Sequence, residues 1–249
     1  MSAQLALIGG EEFSPGFEDV HSGLLAGLPG KKIVYLPTCA ADDGDEAIDH
    51  WCGEAVKHFS ALGAEIEAPR IVDRATADDP SHASLIAGAD WIYIGGGFPH
   101  VAVRILPGTR VLAALQTARM RGALISGASG GAMLMGQQSH VMTPQLIADI
   151  SRHWDSGAPP DWDPPMPEPL TCLGWVPNAI CYPHFNRLYP ASWLQRGYPP
   201  PGFSLIGLDE QTALVSLGEQ WEVRGRGGVT IIRAGSPATR YAAGQKLTL

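Results

Sequence analysis

Short apolar segments alternate with longer amphipathic segments through the first 140 residues of the chain. Apolar runs bounded by glycine, proline or polar residues predict buried strands, whereas apolar residues at three- and four-residue spacing predict helices. The predicted strands are 5–10, 32–38, 65–72, 91–94 and 123–126, and the predicted helices are 46–62, 81–87, 109–121 and one that begins at 131. This alternation indicates an α/β three-layer fold, with a mostly parallel central sheet covered by helices on both faces.

The pattern changes after residue 150. Residues 153–169 (HWDSGAPPDWDPPMPEP) contain too many prolines for a helix or a central strand. They predict a long surface loop, which either lies over a pocket or is a solvated insertion without a role. Residues 204–233 hold four short runs broken by glycine, which predict strands, some of them antiparallel. We see no repeat or linker, so we expect one domain over residues 1–249.

The composition excludes several classes of protein. Of the 249 residues, 45% are hydrophobic and 17% are charged, which excludes a disordered chain, a coiled coil and a collagen-like repeat. The chain has 17 basic and 25 acidic side chains and no basic run, so nucleic acid is not an expected partner. We find neither the basic region of a signal peptide at the start of the sequence nor an apolar run of about 20 residues, the length that a membrane span needs. We therefore expect a cytoplasmic protein without membrane association.

Neither the cysteines nor the acidic residues predict a metal or a cofactor. The cysteines stand at 39, 52, 172 and 181, and no pair has zinc or redox spacing. They are interpreted as free thiols, although a bridge between Cys172 and Cys181 remains open. The acidic residues of 42–49 lack the spacing of a calcium loop. They favour a solvated helix start, where carboxylates meet the positive end of the helix dipole.

The strongest candidate for chemistry is the sequence G-A-S-G-G, residues 127–131, in which an apolar strand ends and a helix follows. This matches the G-x-S-x-G nucleophile elbow, where glycines give room for a sharp turn that exposes the serine. Ser129 is therefore a candidate nucleophile, and the N–H of Gly130 is a natural donor to an oxyanion. Ser126 is the competing serine, but it lies inside the predicted strand and is expected to point into the core or the sheet.

The three glycines at 95–97 also follow a predicted strand. They allow three interpretations: a second oxyanion donor, a phosphate-binding loop, or a tight turn without a ligand. The phosphate-binding interpretation is weak because the G-x-G-x-x-G spacing and a following Lys-Ser/Thr are missing.

A nucleophilic serine needs a base and an acid that orients the base. Among eight histidines, most have polar, loop-like neighbours and are expected to be solvated. His184 differs because it follows an apolar run, and ligands bind at the C-terminal ends of strands in α/β sheets. It is either functional or a structural histidine. For the acid, the residues themselves do not separate Asp209 from Glu210, which stand side by side between two apolar runs.

The ordered set G-G-E (9–11), I-Y-I-G-G-G (92–97), G-A-S-G-G-A (127–132), P-H-F-N (183–186) and G-L-D-E-Q-T-A (207–213) resembles a known family. It is similar to the serine peptidases that include aspartyl dipeptidase (peptidase E) and cyanophycinase, which share the class I glutamine amidotransferase-like fold. The resemblance implies Ser129 as nucleophile, His184 as base and, as in the cyanophycinase branch, Glu210 as acid. The dipeptidase branch instead has an aspartate soon after the nucleophile, and Asp149 is the only match here. Gly96 or Gly97, with Gly130, would form the oxyanion hole.

The resemblance implies a serine peptidase or amidase that acts on a small peptide and needs no cofactor, in a family whose members often form homodimers. Phe98 and Pro99 follow the glycine run where polar residues are expected, and they are candidates to line the substrate pocket. Arg187 either binds a substrate carboxylate or is a surface arginine. Because the pocket has lost polar residues, the alternative is a non-catalytic small-molecule-binding protein on the same fold. A glutamine amidotransferase would need a cysteine at position 129.

Overall fold

The computed structural model describes residues 4–156, 162–188 and 191–249. Residues 157–161, which belong to the segment predicted as a proline-rich loop, lie outside the described residues. The described part of that segment ends helix α8, passes through irregular backbone and enters a short strand.

The described residues form fourteen strands and nine α-helices, with a short 3-10 turn at Thr38–Ala40. The strands are β1 Leu5–Ile8, β2 Lys32–Leu36, β3 Glu65–Glu67, β4 Trp91–Ile94, β5 Leu124–Ala128, β6 Gly136–His140, β7 Pro169–Thr171, β8 Val176–Tyr182, β9 Ser204–Leu208, β10 Thr212–Leu217, β11 Gln220–Gly225, β12 Gly228–Arg233, β13 Thr239–Ala242 and β14 Lys246–Leu247. The helices are α1 Glu18–Ala26, α2 Asp45–Ala61, α3 Arg74–Ala77, α4 Pro80–Gly88, α5 Pro99–Ile105, α6 Arg110–Arg121, α7 Gly130–Met135, α8 Pro144–His153 and α9 Ala191–Gln195.

The larger sheet has eight strands in the order β14-β11-β10-β1-β5-β4-β2-β3. Strands β1, β5, β4, β2 and β3 are parallel, and β10, β11 and β14 extend the sheet in antiparallel pairs. The prediction of an α/β fold is confirmed. The sheet is nevertheless mixed, because tight turns join β10 to β11 and leave no room for a crossover helix.

A second sheet of six strands, in the order β13-β12-β9-β8-β6-β7, was not predicted. Strand β6 carries Gln137 and Gln138, so it shows no apolar pattern, and the sequence predicted a helix continuing to this point. That prediction is wrong, because α7 ends at Met135 and Gly136 begins β6. The long-range pairing of β6 with β8 makes this segment a strand instead of a continuation of the helix. The predicted strand 65–72 is also shorter, since Pro69 lacks the N–H that a strand needs.

Alternate residues of the parallel strands enter two different apolar clusters, so the larger sheet is buried on both faces. One cluster packs Ile33, Tyr35 and Tyr93 against α1 and α2, and the other packs Val34 and Ile94 against α4, α5 and α6. This is the burial expected for parallel strands with helices on both sides. A third, smaller cluster lies on the second sheet, around Trp162, Tyr182, Phe185 and Trp193.

Two histidines that were expected to be solvated are buried. His21 lies on α1 among Phe17, Phe59 and Trp91, and its Nδ1 is 2.8 Å from His58 Nε2. His140 lies in β6 and is treated below. The polar residues next to these two histidines in the sequence did not indicate their burial, because both side chains point to the apolar side of their element.

All four cysteines are free, so the question of a bridge between Cys172 and Cys181 is answered. At the acidic helix start, Asp45 and Asp49 both pair with Arg70, which lies across from α2. No helix in the described parts of the chain is long and apolar enough to span a membrane.

Candidate active site

Ser129 stands on the sharp turn between β5 and α7. Its backbone has φ 50° and ψ −116°, an unusual conformation for a residue with a side chain. A Cβ atom at Gly127 would lie 2.3 Å from the carbonyl oxygen of Gly131, and one at Gly131 would lie 2.3 Å from that of Ile94. The glycines at both positions are therefore required by close backbone contacts. This turn has the form of a nucleophile elbow, in which strain holds the serine exposed.

Ser126 lies inside β5, as the sequence predicted. Its side chain is fully buried and accepts a hydrogen bond of 2.8 Å from the indole Nε1 of Trp91. It has a structural role and no access to either cavity of the site described below.

His184 follows β8 and lies directly beside the serine. Its Nε2 is 3.0 Å from Ser129 Oγ, within hydrogen-bonding distance. Its backbone N–H donates to the carbonyl of Gly9 at 2.9 Å, which ties the histidine to the end of β1 in the other sheet. A Cβ atom at Gly10 would lie 2.2 Å from Cε1 of the imidazole. The absence of a side chain at Gly10 thus leaves the space that the ring occupies.

Glu210 orients the other side of the imidazole. Its Oε1 is 2.8 Å from His184 Nδ1, and its backbone N–H donates to Asn186 Oδ1 at 2.9 Å. The hydrogen bond with His184, followed by that with Arg187, lowers the pKa of Glu210, so the carboxylate stays ionised. The structure therefore brings Ser129, His184 and Glu210 into one chain of contacts.

The two other acids considered from the sequence do not contact His184. Asp209 is buried, accepts a hydrogen bond of 2.9 Å from Gly228 N–H and pairs with Arg240. Asp149 pairs with Arg152 at 3.2 Å on α8. Alternation along the strand end explains the first case, since neighbouring residues point to opposite sides.

Arg187 contacts the carboxylate of Glu210, a role that neither interpretation of the sequence included. Its Nε lies 2.9 Å from Glu210 Oε1 and its Nη2 lies 3.1 Å from Oε2, a two-point contact with the carboxylate. Its Nη1 donates to the carbonyl of Trp154 at 2.7 Å, and its guanidinium stacks over the indole at 5.1 Å. These contacts occupy the group that was expected to hold a substrate carboxylate. In the sequence, its position three residues after His184 was the feature that indicated a place near the site.

The glycine loop after β4 packs against the elbow. A Cβ atom at Gly130 would lie 1.9 Å from the carbonyl oxygen of Gly97, and one at Gly96 would lie 3.4 Å from Ser129 Cβ. Gly97 has φ 114°, a conformation suited to glycine. The structure thus places all three glycines of the expected oxyanion hole around the serine. It also explains why position 130 holds glycine here, because a methyl group would push the Gly97 loop away.

Two cavities meet at the serine and the histidine. The first has a volume of about 260 Å³ and is mainly apolar. Its apolar lining includes Phe98, Met133, Met142, Ile147, Ile150 and Leu188. The second has a volume of about 370 Å³ and is lined on its far side by Glu11, Glu12, Glu54, His50 and Trp51. Ser129, His184, Gly97 and Trp154 line both cavities, so the reactive groups lie at the junction.

The two residues after the glycine run are placed differently. Phe98 lines the apolar cavity, as predicted. Pro99 is buried at the first position of α5 and is absent from the described lining of both cavities. Its ring is suited to that position because it fixes φ and the first turn needs no N–H donor. The prediction that Pro99 contacts substrate is therefore not supported.

Trp154 is a site residue that the sequence did not reveal. It comes just after α8, in the segment predicted to be a loop, and its ring packs edge-on against His184 at 4.7 Å between centroids. At this residue, the segment borders the two cavities, which favours the pocket interpretation for its described start. The proline-rich sequence around Trp154 does not indicate that its ring contacts His184.

We expect His140, in the wall of the apolar cavity, to make the protein less stable in acid. Its ring is buried against Tyr182 and Trp193, its Nδ1 has no hydrogen-bond partner among the described residues, and burial lowers its pKa to about 4. Because the unfolded chain binds this proton near pH 6.5, stability falls as the pH drops from 6.5 to 4, by about 3 kcal/mol.

Urea unfolding of the parent and of His140→Phe at a series of pH values measures this effect. The variant is expected to lose much of the slope between pH 6.5 and 4, while His21, whose pKa burial also lowers, retains part of it. An unchanged slope in the variant would show that the folded and the unfolded chain protonate His140 alike, so that burial does not lower its pKa.

The site can be compared with known proteins. The family profile described as Peptidase family S51 matches residues 5–224. The crystal structure of a peptidase from an acI-B1 Actinobacterium is 26% identical, with 100% of this chain and 98% of that chain covered, at a TM-score of 0.82. A peptidase E candidate from Listeria monocytogenes EGD-e is 15% identical, with 97% and 99% covered, at a TM-score of 0.59, and shows the fold alone. No curated protein sequence matches significantly. Because the profile spans nearly the whole chain, this protein belongs to peptidase family S51, a membership that supports a serine-type peptidase.

Proposed function

We propose that the protein hydrolyses a small peptide or amide through a Ser129–His184–Glu210 triad. The observation that carries this proposal is the continuous chain of contacts, 3.0 Å from Ser129 Oγ to His184 Nε2 and 2.8 Å from His184 Nδ1 to Glu210 Oε1. Such a chain activates a hydroxyl that is otherwise a weak nucleophile. The peptidase from the acI-B1 Actinobacterium, which resembles the chain over its full length, supports the same reaction class.

In the first half of the reaction, Ser129 Oγ attacks the carbonyl carbon while its proton moves to His184 Nε2. The negative charge that develops on the carbonyl oxygen is stabilised by the backbone N–H groups of Gly130 and of Gly96 or Gly97. The imidazolium then gives its proton to the leaving amine as the C–N bond breaks. An acyl-enzyme ester on Ser129 remains.

In the second half, water attacks the ester and His184 Nε2 takes one of its protons. The tetrahedral intermediate collapses, Ser129 recovers its proton from the imidazolium, and the carboxylic acid leaves. Glu210 stays ionised throughout and holds Nδ1–H, so that Nε2 is free to accept a proton. Arg187 is a positioning residue, because its two-point contact keeps the Glu210 carboxylate ionised and fixed in direction.

The first test is the mass of the intact protein after incubation with a fluorophosphonate. We expect one adduct on the parent and none on Ser129→Ala, because only an activated serine displaces the fluoride. Ser126→Ala is the matched control, since it also removes one serine hydroxyl, but at a fully buried position without access to either cavity. It should label like the parent, although the loss of the acceptor for Trp91 Nε1 costs about 1–3 kcal/mol of stability.

An adduct that persists in Ser129→Ala would refute the assignment of the nucleophile. A parent protein without any adduct would favour the alternative, a non-catalytic small-molecule-binding protein that uses the same two cavities.

We also propose that residues 1–249 form one hydrolytic domain with the three-layer, class I glutamine amidotransferase-like arrangement. Burial of both faces of the larger sheet supports this arrangement. The expectations of a homodimer, a cytoplasmic location, and activity without metal or cofactor come from the sequence and its resemblance. The choice between a dipeptidase and a cyanophycinase-like hydrolase depends on the substrate.

A further inference from the structure

The second cavity beside Ser129 is acidic. Three carboxylates line it, from Glu11 and Glu12 at the turn after β1 and from Glu54 on α2. Its lining contains no lysine or arginine among the described residues, and its histidines are His50 and His184. Glu54 is partly neutralised by Lys57, at 3.5 Å on the exposed face of α2. The unbalanced negative charge therefore comes from the turn after β1.

Glu12 is the carboxylate in the unusual environment. The residue is only 8% exposed, and it takes part in no ion pair among the described residues. The hydrogen bond identified at its carboxylate comes from its own backbone N–H. Burial raises the pKa of Glu12, because removal from water disfavours the charged form of the carboxylate. The only cation that acts on the carboxylate among the described residues is a protonated His184, whose attraction lowers the pKa less than burial raises it. A buried carboxylate with so little compensation is costly, and a cation bound in this cavity would offset that cost.

Glu11 differs from Glu12 because its charge is exposed. Its Oε2 accepts a hydrogen bond of 2.5 Å from Ser14 Oγ, within the same turn. It adds negative potential to the cavity while its own solvation is retained. A cation that enters the cavity would thus meet one exposed and one buried carboxylate.

The apolar cavity on the other side of Ser129 offers the opposite environment. Its lining includes Met133, Met142, Ile147 and Ile150, which are suited to an aliphatic side chain. A bound carbonyl group at Ser129 would therefore have an apolar environment on one side and an acidic one on the other.

We propose that the protein selects short peptides that carry an apolar side chain on one side of the scissile bond and a positively charged group on the other, with Glu12 as the specificity-determining carboxylate. This inference rests on the proposed function, since it uses the same serine and histidine. The charged group is either a free α-amino group or a basic side chain, because both present an ammonium or guanidinium to the carboxylates.

The test is calorimetric binding to the Ser129→Ala variant, which cannot turn the ligands over. The ligands are the dipeptides Leu-Lys and Lys-Leu, their norleucine counterparts Leu-Nle and Nle-Leu, and the N-acetylated form of each. Replacement of lysine by norleucine removes only the side-chain charge, and acetylation removes only the α-amino charge. We expect at least one of these changes to weaken binding about tenfold or more, as the loss of a charge-assisted hydrogen bond does.

If the norleucine replacement weakens binding, the recognised cation is the lysine side chain; if acetylation weakens it, the cation is the α-amino group. The order that binds more tightly, Leu-Lys or Lys-Leu, shows which side of the scissile bond enters each cavity. In the Ser129→Ala background, Glu12→Gln should abolish the preference for the charged peptide. Glu46→Gln, which removes an exposed carboxylate from α2 outside the cavity, should retain it. If Glu12→Gln fails to fold, the peptide series still tests the selection for a cation, and Glu11→Gln, which changes the neighbouring exposed carboxylate, should then retain the preference.

Equal binding of charged and neutral peptides, or a preference that survives Glu12→Gln in a folded variant, would overturn the inference. Failure of the proposed function is a separate result, because fluorophosphonate labelling of the parent protein does not depend on the peptides. Labelling without any preference for a cation would refute the specificity alone. Cation-selective binding without labelling would refute the hydrolysis alone.

Discussion

Ser129→Ala is expected to lower kcat by about six orders of magnitude, while the protein remains folded. Alanine keeps the turn between β5 and α7 but removes the atom that attacks the carbonyl. The remaining rate enhancement would come from the oxyanion donors and from substrate binding alone. Steady-state kinetics with a peptide found by screening a dipeptide library measures the loss, and thermal unfolding checks the fold.

The double variant of Ser129 and His184 tests whether the two residues act together. If Ser129 and His184 act as one unit, His184→Ala costs about as much as Ser129→Ala, and the double variant loses little more than either. Two independent contributions would instead multiply. A double variant far slower than both single variants would show that His184 does not act through Ser129.

Glu210→Gln is expected to lower kcat by about four orders of magnitude, with KM nearly unchanged. The glutamine side chain has a similar shape, but its amide NH2 can donate to His184 Nδ1. This favours the tautomer with its proton on Nε2, which cannot accept the proton of Ser129. Arg187 would also lose the charge that its guanidinium contacts at 2.9 and 3.1 Å.

Asp209→Asn is the matched control, since it makes the same chemical change one residue earlier. Asp209 holds Gly228 N–H and Arg240, so its loss should cost about 1–3 kcal/mol of stability and leave kcat near that of the parent. Denaturant unfolding and kinetics on both variants separate the two roles. If Asp209→Asn lost activity while Glu210→Gln kept it, the assignment of the acid would be reversed.

The local pattern of the sequence identified much of the α/β framework and the positions of the candidate site. The strand at 91–94 is confirmed, and α2, α4 and α6 lie within a few residues of their predicted bounds. Glycine on both sides of Ser129 signalled the elbow, because a sharp turn constrains its neighbours in the chain. The choice of Glu210 over Asp209 came from the resemblance, since their sequence neighbours are the same.

Contacts between distant parts of the chain decided the rest. The site lies where β1, β4 and β5 of the larger sheet end beside β8 and β9 of the second sheet, which the sequence did not reveal. The pairing of β6 with β8 overrode the helical pattern after Met135. Arg187 and Trp154 likewise acquired their roles across 23 to 33 residues of chain. Hydrophobic periodicity records which side of an element is buried, whereas it carries no information about which distant side chain the element meets.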